Sequence, residues 1–107
     1  MKIILSTTPN LEEAEKIATI LVEKKLAACV NIIPKITSIY EWQGKIQKDT
    51  EAMMLIKTSK EKAEQAKEEI LRLHSYTLPE VIFLETEGGH IDYRNWVLSQ
   101  TDTCLDM

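Results

Sequence analysis

Two side chains of this sequence carry the chemistry of soft-metal binding, Cys29 and His74. A thiolate suits Cu(I) or Zn(II), and an imidazole nitrogen suits copper and zinc alike. Both also have ordinary structural uses. Cys29 lies in a β-branched stretch where a small thiol packs as an apolar residue and stays inert while buried and neutral. His74 follows the last apolar position of a helical pattern, where a histidine serves the carbonyl end of the helix. A single cysteine cannot build a metal site, so metal chemistry here requires ligands gathered from neighbouring chains. Tyr76 and Glu80 stand close to His74 in sequence, and Lys57 and Glu80 flank the two ends of the same helical stretch. These last two are expected to approach each other as a charged pair at the edge of a cleft. His90 and Asp92, after Gly88-Gly89, read as a turn followed by a helix cap.

No P-loop, Cys-x-x-Cys, His-x-x-x-His or nucleophile motif is present, which disfavours an ordinary enzyme. The formal charge of −4 and the lack of a clustered Lys/Arg footprint disfavour a nucleic-acid partner, while a cationic ligand is not repelled. The first residues, MKIILSTTPN, hold an apolar run too short for a signal-peptide core, and no later stretch approaches the ~20 apolar residues needed to span a bilayer. The expected location is the cytoplasm, away from membranes. There Cys29 and Cys104 would remain thiols, and packing alone must hold the core. The last four residues, CLDM, have the outline of a prenylation box, but Asp106 occupies an aliphatic position and no polybasic stretch precedes it. A flexible tail from about residue 99 is the simpler reading.

The elements that must position these residues follow from periodicity. The 107 residues support one domain with one core. Residues 2–7 form a short apolar strand ending at Thr8-Pro9. Asn10 followed by Glu13 marks a helix start, with Ala14, Ile17, Ala18, Leu21 and Val22 at helical spacing. Residues 27–42 are rich in β-branched and aromatic side chains, Gln43-Gly44 supplies a turn, and residues 45–58 return. Ser59 is expected to cap a second helix carrying Ala63, Ala66, Ile70 and Leu73. A last strand, VIFLET, and a short helix with Tyr93, Trp96 and Val97 complete the order β-α-β-β-α-β plus a terminal helix. That order predicts an α+β, ferredoxin-like sandwich with both long helices on one face of a four-stranded sheet.

The hairpin is too long for this fold on its own. Each arm runs about fourteen residues against a usual five or six, so it overruns the short first and last strands. Its middle is apolar on both faces, at Ile32, Ile33, Met53, Met54, Leu55 and Ile56, whereas the helices cover only one. Pro34 removes a ladder donor and marks a bulge or an edge. At the tip, Tyr40 faces Gln47 and Trp42 faces Lys45, placing two large rings on one side of a strand in a chain only 6% aromatic. The uncovered face and the tip rings Tyr40 and Trp42 are the predicted subunit interface.

The segments LAACVNIIP, YEWQGKI, IKTS, LHSYTLPE and YRNWV, in this order, resemble the CutA family of divalent-cation tolerance proteins over residues 3–97. The resemblance implies a homotrimer joined by inter-subunit strand pairing and an association with copper and other divalent metals; in animals it also implies a link to anchoring a membrane-bound cholinesterase. It implies no defined reaction. Ser75 departs from the family's His-Pro-Tyr turn, leaving His74 and Tyr76 without the ring that would fix the corner. Metal binding through Cys29 and His74 in a trimer is therefore the leading expectation. A PII-like signalling trimer holding a small anion in inter-subunit clefts, and a partner-anchoring trimer without ligand, are the alternatives.

Overall fold

The computed structural model describes residues 1–102. Its first strand, β1 (Lys2–Thr8), leads through Pro9 to helix α1 (Leu11–Glu23). Asn10 is the cap: its side-chain oxygen accepts from the Glu13 amide at 2.8 Å, satisfying a donor that the helix start leaves free. At the other end Lys25 takes a left-handed conformation, φ 59, and the Lys25 and Leu26 amides bond back to the Val22 and Leu21 carbonyls. That reversal returns the chain to the sheet at β2 (Cys29–Trp42).

β2 and β3 (Lys45–Thr58) form the predicted hairpin, fourteen residues in each arm. Gln43 and Gly44 both have positive φ, 52 and 79, the requirement of a two-residue turn whose twist matches the strands. Trp42 faces Lys45 and Tyr40 faces Gln47, as the sequence predicts. The ladder slips between Ile33 and Ile36, placing the expected bulge at Pro34. β4 (Val81–Glu85) closes an antiparallel sheet of order β2-β3-β1-β4. This is the strand order of the ferredoxin-like sandwich, so the α+β expectation holds.

Helix α2 (Ala63–Leu73) begins later than expected. Ser59 does not cap it; the Ser59 hydroxyl and carbonyl instead accept from the Lys62 amide, closing a turn that precedes the helix. α1 and α2 cover one sheet face with Ile17, Leu21 and Ile70 against Ile4, Met54 and Ile56, all fully buried. Glu69 sits between the helices, receiving Lys24 from the C-terminal cap of α1 and, at 2.6 Å, Arg72 from its own helix. Those two cations hold its carboxyl at about 2, well below the usual range, Arg72 contributing more than Lys24.

Among the described residues the opposite sheet face has no helical layer of that kind. Alternation places Ile3, Leu5, Met53, Leu55, Ile33, Ile82 and Leu84 on it, and Ile33, Ile82 and Leu84 are more than 40% exposed. The β1 pairing of β3 ends at Ala52, and from there to the tip β3 pairs, among the described residues, with β2 alone, so the hairpin projects and the described residues extend 49 Å along their longest axis. Helix α3 (Ile91–Gln100) touches β3 and buries Val97. Ser99 and Gln100, expected in the tail, are its last residues, and Thr101 is buried with its hydroxyl donating to the Val97 carbonyl. Cys104 and the prenylation outline lie outside the described residues.

Candidate functional site

The projecting hairpin arm and the chain that leaves α2 enclose a cleft of about 630 Å³. Ser38, Tyr40, Trp42, Asp49 and Glu51 form the hairpin wall, and Tyr76, Leu78 and Glu80 form the other. The bulge at Pro34 is what allows this. It shifts the alternation of β2 by one, so Ser38, Tyr40 and Trp42 share a face with Asp49 and Glu51.

The two tyrosine hydroxyls point their protons at that hairpin wall. Tyr76 donates to Glu51 at 2.9 Å, and Tyr40 donates to Asp49. Burial above all, and then the Glu51 bond, pushes the Tyr76 phenol well above its ordinary range. Tyr40 rises as well, chiefly through its bond to Asp49. Both phenols are therefore fixed as donors.

Tyr76 is set in place by the corner before it. The His74 side chain is fully enclosed; its Nε2 meets the Thr7 carbonyl at 2.6 Å, while its Nδ1 accepts from the Tyr76 amide at 3.1 Å. This pattern fixes the proton on Nε2 and leaves neither ring nitrogen idle. Glu13 of α1 lies 3.5 Å from Nδ1 and accepts from both the amide and the hydroxyl of Ser75, at 3.2 and 3.1 Å.

Of the residues singled out in the sequence, Tyr40, Trp42, Tyr76 and Glu80 are brought together in this cleft. Lys57 is not. It donates to Asn31 on the uncovered sheet face, opposite Cys29 on one side and Ile3 on the other. Glu80 directly precedes Val81, the partner of Ser6, so several residues of β1 and two strand spacings separate it from Lys57. The expected Lys57–Glu80 approach does not occur, because flanking the ends of one helix in sequence did not place them at one end of the sheet.

The same register parts Cys29 from His74. Cys29 lies at the Ile3 end of β1 and His74 at Thr7, on the order of 15 Å apart from strand rise and spacing. Cys29 instead has Tyr93 of α3 beside it; burial, and then the neighbouring thiol, raises the Tyr93 phenol. Among the described residues no three His, Cys, Asp or Glu side chains converge as a metal site needs. His90 and Asp92 stand 3.8 Å apart, both widely exposed, at the start of α3. Asp49 and Glu51 escaped the sequence reading, although extending the Tyr40–Gln47 register by two residues places Asp49 opposite Ser38.

The model of the CutA1 divalent ion tolerance protein family matches residues 2–100. The chain belongs to that family. It is 46% identical over 100 residues to the human protein CutA, covering 94% of this chain and 56% of that protein, so it spans little more than half of that relative's length. A periplasmic divalent cation tolerance protein CutA from Archaeoglobus fulgidus superposes with a TM-score of 0.91 at 43% identity, covering 95% of this chain and all of the other. A PII-like protein CutA from Nostoc superposes with a TM-score of 0.88 at 36% identity, over 94% of this chain and 97% of the other. Among the described residues no helix of this family member is long and apolar enough to cross a membrane.

Proposed function

We propose that the chain works as a homotrimer that binds copper or another divalent cation with ligands gathered from neighbouring subunits, and that it acts in cation tolerance in the cytoplasm rather than as an enzyme. The observation that carries this reading is the uncovered sheet face. Ile33, Ile82 and Leu84 are exposed on one continuous surface with Cys29 at its margin and the cleft at its far end. Exposed apolar surface of this kind is characteristic of an interface, and unpaired strand edges outside one aggregate. Cys29 and His74 cannot meet within one subunit, so a shared site needs Cys29 of one chain and His74 of another, with the Tyr76 amide released from Nδ1.

Sedimentation at micromolar concentration, with calorimetric titration of Cu(II), Cu(I) and Zn(II), tests both parts. The expected result is a trimeric mass and cation binding that Cys29→Ala and His74→Ala each weaken without dissolving the trimer. A monomeric mass overturns the assembly; titrations unchanged in both variants remove these residues as ligands. The PII-like likeness to the Nostoc protein favours a second reading, a signalling trimer that holds a small anion. Asp49, Glu51 and Glu80 in the cleft oppose an anion there, and a titration with ATP decides. A partner-anchoring trimer would bind neither.

A further inference from the structure

We propose that the outer stripe of α3 docks against the cleft of the neighbouring subunit, where Arg94 meets Glu80 of the partner subunit. The docking rests on the homotrimer reading above and supplies one of its contacts. Helix α3 is apolar around most of its circumference, the pattern of a helix covered on more than one side. Val97 is fully buried beside its own sheet. Ile91, Arg94 and Leu98 recur at spacings of three and four residues and form a second stripe. Ile91 and Leu98 are 57% and 40% exposed there, so that stripe lacks a cover among the described residues.

Arg94 is what selects a second copy as the cover. Its Nε is buried and finds no acceptor among the described residues. A buried donor left in that state is costly, and a partner group is its usual resolution. The complementary charge lies in the cleft, whose ionisable lining is Asp49, Glu51 and Glu80. Asp49 and Glu51 already accept from the tyrosine hydroxyls, whereas the Glu80 carboxylate has no hydrogen bond or ion pair among the described residues. Within one subunit the two do not meet. Glu80 precedes β4 and α3 follows it, and the five residues of that strand span about 17 Å. Arg94 stays at the α3 end, where a methyl group added to Gly89 would meet its Cδ at 3.7 Å. A contact between different surfaces at opposite ends of a subunit is heterologous, the kind that closes into a ring such as a trimer. Trp42 and Leu78, both exposed on the cleft, offer Ile91 and Leu98 the apolar surface they need. Interface cores are enriched in aromatic and arginine side chains of this kind.

The test is a charge swap, read by fluorescence-detected sedimentation over a dilution series of the full chain in a fixed, non-denaturing concentration of urea. Arg94→Glu and Glu80→Lys should each raise the midpoint of trimer dissociation at least about tenfold, the scale of a close interfacial charge pair. With both substitutions in one chain, every interface regains the pair with its signs reversed, and the midpoint should return to within about threefold of the parent's. A structural role for Arg94 inside its own subunit predicts no such recovery. Far-UV dichroism confirms that each variant is folded. A single variant that assembles like the parent, or a double variant no better than the weaker single, overturns the docking while a trimeric parent leaves the assembly standing. A monomeric parent overturns both.

Discussion

Replacing Trp42 by alanine separates an interfacial hairpin tip from a solvated one. In the isolated chain the Trp42 side chain is 50% exposed, so half its surface is still available to a neighbour. A ring of this size offers roughly 250 Å² in all, which leaves about 125 Å². At about 25 cal/mol per Å² its burial in an interface contributes roughly 3 kcal/mol per subunit, on the order of 9 kcal/mol for a trimer. A surface truncation without an interface costs only about 0.5 kcal/mol. The two cases differ well beyond experimental error. The assay is thermal melting at 2 and 200 µM, paired with sedimentation at both concentrations. With Trp42 at the interface, Trp42→Ala melts earlier, its midpoint rises with concentration because assembly now limits stability, and far-UV dichroism stays native-like at the higher concentration. A variant that melts like the parent at both concentrations and stays trimeric on dilution refutes the reasoning.

Two further expectations concern the Glu69 ion pairs and the hairpin turn. Glu69 has its carboxyl lowered to about 2 in the folded state, so its contribution to stability is complete above about 4.5 and is lost as pH falls through 2. Urea midpoints should therefore be lower for Glu69→Gln than for the parent at pH 6 and converge by pH 2; a gap independent of pH would show that the Lys24 and Arg72 pairing is not its source. Gly44 sits at φ 79, and a methyl group added there would meet no atom within 4 Å, so Gly44→Ala tests backbone strain alone. Denaturant titration should show a loss of about 1 kcal/mol, and Gln43→Asn, which tolerates left-handed φ better than glutamine, should gain a fraction of that.

The sequence was most legible where local chemistry and tertiary need agree. Asn10 is a cap by type and by position, and the Gln43-Gly44 turn fixes a hairpin register that holds from the tip to the bulge. Ser59 shows the limit: a serine before a helical pattern caps equally well a short turn, and only the packing of Ala63 and Ala66 against the sheet decides where the helix begins. Lys57 and Glu80 failed for a different reason. Their separation depends on how many residues of β1 lie between two partners on different strands, which no local pattern encodes. The cleft required two non-local facts together, the one-residue shift at Pro34 and the path of residues 74–80 across the end of β1.

The corner at Ser75 shows how a departure in sequence can preserve a geometry. A proline there would fix the turn through its ring but would have no amide hydrogen. Serine keeps that hydrogen and adds a hydroxyl, and both donate to one Glu13 oxygen, so a clamp from α1 replaces the constraint of a ring. Glu13 is in turn held by its own amide, which donates to the Asn10 cap at the start of the same helix. The cap thus supports the carboxylate, the carboxylate supports Ser75, and His74 ties the same corner to the Thr7 carbonyl. Tyr76 follows directly, its amide on His74 and its hydroxyl on Glu51 across the cleft. A residue chosen in the first turn of α1 therefore helps fix the width of a cleft on the other face of the sheet. Without the Glu13 carboxylate, the loss falls first on the position of Tyr76, because the helix itself keeps its Asn10 cap and its buried Ile17 and Leu21.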